Sequence, residues 1–81
     1  MRKLGVVGGA SWTSTALYYE HIHKGVGKRL GGLHSARLLI ESIDMEDDYV
    51  AFQRTDEWDR ANATVVDAAK RLKAAGAEGL L

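Results

Sequence analysis

Eighty-one residues, 46% hydrophobic and 27% charged, with 11 basic side chains balancing 11 acidic ones, allow one small soluble-type domain and supply no net field to recruit nucleic acid or an anionic membrane. Apolar runs are too short to span a bilayer, and no signal-length stretch follows Met1-Arg2-Lys3, so the expected location is the cytoplasm. The chain has neither cysteine nor proline, which removes disulfides, thiolate metal sites and thiol nucleophiles from these residues and leaves no linker marked.

Lys3 to Val7 is a short β-branched run closed by Gly8 and Gly9, and predicts a buried first strand entering a tight turn. Ala10 to Ser14 reads as a loop with capping hydroxyls. From Thr15 the residues Ala16, Tyr19, Ile22, Val26 and Leu30 recur at helical spacing until Gly31-Gly32. Ala36 to Ile43 predicts a second strand, buried rather than half-exposed, with Asp44 at its end. Met45 to Gln53 opens with Glu46, Asp47 and Asp48, as the first turn of a short helix prefers. Trp58, Ala61, Val65, Ala69 and Leu72 mark the clearest helix, with acids early and Lys70, Arg71 and Lys73 late. Gly76 is placed for a left-handed cap, and Leu80-Leu81 for the first residues of a third strand. The alternating order predicts an α/β fold, a parallel sheet flanked by helices, with ligands expected at the carboxyl ends of the strands.

The turn at Gly8-Gly9, followed by Ser11, Thr13, Ser14 and Thr15 at a helix start, offers backbone N–H groups and hydroxyls to an anion. The alternative is that the glycines only permit the turn and the hydroxyls only cap the helix. Glycines at 5, 8 and 9 do not match the dinucleotide fingerprint, and no Gly-Lys-Ser/Thr triphosphate loop occurs. His21 and His23 stand two apart on a predicted helix, on different faces, and so make a poor metal pair. His34 reads as an ordinary loop histidine, Trp12 and Trp58 as packing residues, and the acids at 46–48 as a solvated face rather than a cation site. No metal is assigned.

Gly8-Gly9-Ala10-Ser11-Trp12-Thr13-Ser14-Thr15 with Tyr18-Tyr19, then Arg29 to Ala36, Gln53-Arg54, Glu57-Trp58-Asp59 and Ala74 to Gly79, resemble at matched spacing the N-terminal part of the aspartate/glutamate racemase family. The resemblance covers essentially the whole chain. It departs at Ala10, where the family usually has methionine, and at Thr13, where it usually has glutamate. The resemblance implies two similar α/β domains facing one another, an acidic amino acid between them, no pyridoxal phosphate or other cofactor, and a homodimer for the full-length protein. It further implies one cysteine from each domain as acid and base, the first following strand three, beyond Leu81. Residues 1–81 would then be the N-terminal portion of one such domain, ending before or within its third strand, and inactive alone. Catalytic residues are expected outside the chain. Substrate contacts carried over are Gly9, Ala10 and Ser11 in the first loop and Gln53 after the second strand, the last also readable as an exposed helix-end amide. A non-catalytic module that binds an anion or amino acid is the alternative reading, and a hydantoin racemase or maleate isomerase is a further one.

Overall fold

A computed structural model describes all residues, 1–81. The elements are β1 (Leu4–Gly8), α1 (Trp12–Leu30), β2 (Leu38–Ser42), a π-helical turn (Glu46–Val50) running into α2 (Ala51–Arg54), α3 (Trp58–Ala74) and β3 (Gly79–Leu80). The three strands form one parallel sheet in the order β2-β1-β3, with Leu4 beside Leu38 and Gly8 beside Ser42 on one side and Gly5 beside Leu80 on the other. The expected parallel α/β fold is therefore what the chain adopts. No helix is long and apolar enough to cross a membrane.

The central strand moves first to one neighbour and then, after β2, to the other, so right-handed crossovers place α1 and α3 on opposite faces. Side-chain directions agree. A Cβ on Gly5 would stand 2.9 Å from that of Ala77 and 3.2 Å from that of Leu72, on the α3 side, whereas one on Gly8 would meet Thr15 of α1 and Ile40 of β2. The missing side chain at Gly5 is what lets α3 settle closely on β1. Beneath it lies the core: Ala61 and Ala68 are fully buried and Leu72 is 4% exposed. The Arg71 guanidinium reaches the Glu41 carboxylate of β2 at 2.7 Å. The Thr64 hydroxyl lies 2.5 Å from the Asp48 carbonyl oxygen and 2.7 Å from that of Ala61, tying the π-turn to α3.

The acidic run at 46–48 is organised by Asp44. Its carboxylate accepts the N–H groups of Glu46 and Asp47, and the Asp48 carboxylate accepts the Asp44 N–H at 2.9 Å, a reciprocal cap that satisfies otherwise orphaned donors. Glu46 in turn pairs with Arg54. The predicted single helix over 45–53 is thus two joined pieces, a π-turn and one α-turn.

Three expectations fail, most of them on the α1 side of the sheet. Helix α1 begins at Trp12, three residues earlier than the periodicity placed it, because Thr15 N–H already finds the Ser11 carbonyl at 3.0 Å. Strand β2 is half-buried rather than buried, with Ile40 39% exposed, since α1 does not lie down over it. Trp12 is 74% exposed and Trp58 48% exposed, so neither is a core residue; Trp58 instead donates its indole N–H to Asp56 at 2.7 Å. Helix α1, 19 residues long, has no buried side chain at all.

Candidate functional site

The turn after β1 is fixed by backbone packing. Gly9 sits at φ +92, where a Cβ would stand 2.7 Å from the Ile43 nitrogen and 2.9 Å from Ser42 Oγ, so the strand exit is pressed against the end of β2 and only glycine fits. Ile43 N–H closes the contact by donating to the Gly8 carbonyl at 2.9 Å. Gly9 N–H donates to Thr15 Oγ1 at 3.1 Å, and the Thr15 hydroxyl donates back to the Ser11 carbonyl at 3.2 Å. Thr15 is therefore the residue that shapes the loop.

Ser11 occupies the N-cap position in an extended conformation but makes no capping bond. Its hydroxyl pairs with Thr13 Oγ1 at 3.0 Å instead. The N–H groups of Trp12, Thr13 and Ser14 consequently have no acceptor within the chain, and they share the partial positive charge of a helix start.

Of the residues at this helix start, Ser11 and Ser14 border a cleft of about 650 Å³ that opens where α1 stands off the sheet. Its floor is the end of β1, from Val6 to Gly8, and its rim is Ala10 and Ser11. One wall is the α1 stripe Ser14, Tyr18 and Ile22, spaced four residues apart, and Leu81 closes the far side just past β3. The cleft thus lies at the carboxyl ends of two parallel strands, where ligands of such sheets bind. Tyr18 is the only ionisable side chain among its walls, so attraction for an anion comes from the helix start and hydroxyls. Such a surface can hold a carboxylate. It contains no side chain placed to remove a carbon-bound proton near neutral pH.

Of the residues singled out from the sequence, Ala10 and Ser11 face this cleft. Gly9 is buried behind it, with its N–H engaged by Thr15. Gln53 is half-buried on α2, which packs with α3, and is not among the residues facing the cleft. Ser14 and Thr15, read from the sequence as part of an anion-binding turn, also face it, whereas Tyr18 and Ile22 were not singled out as site residues. The four-residue spacing of Ser14, Tyr18 and Ile22 was the available signal, hidden because the helix was expected to start at Thr15. His23 lies one stripe away. His34 closes a shallow turn by donating its N–H to the Gly31 carbonyl. No group of three or more His, Cys, Asp or Glu side chains is arranged to hold a metal ion. The Glu20 carboxyl is held below its usual range by a hydrogen bond from Lys24 and by that cation's charge, on the outer surface of α1 and away from the cleft.

No family model matches the sequence. Solved structures do. Over 99% of its length, at 41% identity and a TM-score of 0.92, the chain is similar to a crystal structure from Yersinia pestis provisionally assigned as an Asp/Glu racemase. Over the same share, at 28% identity and a TM-score of 0.74, it is similar to an aspartate racemase homologue from Pyrococcus horikoshii OT3. It covers 34% of each of those chains, about a third of their length. Over its whole length the chain is therefore similar, in sequence and fold, to about a third of proteins assigned as aspartate/glutamate racemases or their homologues.

Proposed function

We propose that these residues form the N-terminal, substrate-holding third of a cytoplasmic, cofactor-independent racemase that interconverts L- and D-aspartate or glutamate. The observation that carries this reading is the match along the whole chain to the Yersinia pestis protein, joined to the position of the Gly8–Thr15 loop on an open cleft.

In this reading the N–H groups of Trp12, Thr13 and Ser14 and the Ser11 hydroxyl take the α-carboxylate. That places positive potential beside the carbon whose proton is removed, where the carbanion's charge spreads onto the carboxylate oxygens. Two cysteines from the rest of the fold act as base and acid on opposite faces of that carbon. The first would emerge beyond Leu81, which already borders the cleft. Having no cysteine, the 81-residue chain holds substrate without exchanging its proton.

The test is a chimera in which residues 1–81 replace the matching third of the Yersinia pestis protein, assayed beside the parent and the isolated chain by NMR in deuterated water. L-Aspartate or L-glutamate should gain deuterium at the α-carbon with parent and chimera and not with the chain alone. Exchange by the isolated chain would overturn the cysteine requirement. A folded chimera that is silent where its parent is active would leave the module reading, in which the loop binds an anion without serving a racemase.

A further inference from the structure

His23 is the one polar side chain with a buried, unpartnered nitrogen, Nε2, and it lies outside the cleft. Its other nitrogen, Nδ1, accepts the backbone N–H of Ala36 at 3.1 Å, thirteen residues on. An imidazole nitrogen that accepts carries no proton, so the ring is the neutral tautomer with hydrogen on Nε2. Tyr19, one turn earlier, packs edge-on against the ring at 4.3 Å between centroids.

This contact matters because α1 has little else to hold it. None of its side chains is buried. Its start is tied down through Thr15 and Gly9. The His23–Ala36 bond is the one side-chain hydrogen bond that joins the rest of the helix to the segment entering β2. Tyr18 and Ile22, the neighbouring stripe, form the cleft wall, so what fixes the 19/23 stripe also fixes the wall.

We infer that His23 is a proton-sensitive latch: neutral, it fastens the second half of α1 to the lead-in of β2, and protonated, it lets go. The cation has hydrogen on both nitrogens. Nδ1–H then points at the Ala36 N–H, donor against donor, and the charge sits in a partly buried place with no acceptor. The ionisable side chains on the two segments that meet here are Tyr18, Tyr19, Glu20, His21, Lys24, Lys28 and Arg29 on α1, and His34 and Arg37 around Ala36. Most are cationic or become so with acid. The one carboxylate, Glu20, is bonded to Lys24 at 2.7 Å. On β2, the Glu41 carboxylate is held by Arg71 on the α3 side. Nothing compensates the imidazolium, so acid favours the unlatched helix. The inference does not depend on what the cleft binds.

The test is amide hydrogen exchange on the 81-residue chain, read as protection factors between about pH 8 and about pH 5, where imidazoles titrate. Protection at Ala36 should fall about fivefold across that range, the size of one lost hydrogen bond, while Val6 and Glu41 in the sheet keep theirs. His23→Asn, which keeps an acceptor near the Nδ1 position without titrating, should make Ala36 protection independent of pH. His23→Leu should leave Ala36 weakly protected throughout. Three results would overturn the latch: a pH-independent Ala36 in the parent, the same fall in His23→Asn, which would point to His21 or His34, or parallel loss at Val6 and Glu41, which would mean global unfolding.

Discussion

Helices α1 and α3, 19 and 17 residues long, lie on opposite sides of the same central strand and use it differently. Helix α3 turns Ala61, Ala68 and Leu72 to the sheet and buries all of them; its small residues and the bare Gly5 allow close approach, and close approach is what makes a dry core. Helix α1 carries Trp12, Leu17, Tyr18 and Tyr19 around its circumference, each at least half exposed. No face of it closes on β1, and the space left is the cleft. One side of the sheet is built for stability and the other for access.

The comparison can be broken most strongly at Leu72. Leu72→Ala should lower the unfolding free energy by about 3 kcal/mol, the usual size for a buried leucine, as read from the midpoint of urea unfolding. Ile22→Ala on the cleft wall should cost less than about 1 kcal/mol in the same assay. Equal losses would mean that α1 contributes as much core as α3.

Gly9→Ala comes next, at about 2 kcal/mol, because φ +92 carries the left-handed penalty and the new methyl meets the Ile43 backbone. Its amide cross-peaks over 9–15 should move more than those of α3. Thr64→Val, which removes the donor shared by the Asp48 and Ala61 carbonyls, should cost about 1 kcal/mol and raise hydrogen exchange in the π-turn.

The smallest effect belongs to the surface of α1. The Glu20 carboxyl is depressed by the Lys24 hydrogen bond and charge, so its contribution is present above the pKa of the unfolded chain and lost as pH falls through the lower folded value. Being fully exposed, the pair should barely change stability. Lys24→Ala should return the Glu20 titration, followed by NMR, to the ordinary carboxylate range.

The α3 side was legible in the sequence because its signals reinforce one another: helical spacing from Trp58 to Leu72, a matching charge order, and Gly76, which takes φ +105 as the cap requires. The strand ends were legible through Gly8-Gly9 and Asp44. The α1 side was less so, for physical reasons. Hydroxyl residues at 11–15 suit both a loop and the first turn of a helix, and Thr15 decided between them through a bond to Gly9, which sequence spacing does not reveal. Burial of Ile40 was overestimated because an apolar strand reads as buried whether or not a helix covers it. His23 looked unremarkable as a metal ligand, and its partner, a backbone amide thirteen residues away, appears only once the chain is folded. Of the carried-over substrate contacts, Ala10 and Ser11 face the cleft and Gly9 supports it from behind, whereas Gln53 stands with α2.

The central claim, that the start of α1 meets an amino-acid carboxylate, is tested most directly by titrating the ¹⁵N-labelled chain with L-aspartate and L-glutamate and following every amide. Saturable shifts at Trp12, Thr13 and Ser14, with Tyr18 and Leu81 responding more weakly and α3 unchanged, are the predicted result. No saturable change at 11–15, or changes confined to α3 and the Thr55–Asp59 turn, would contradict it.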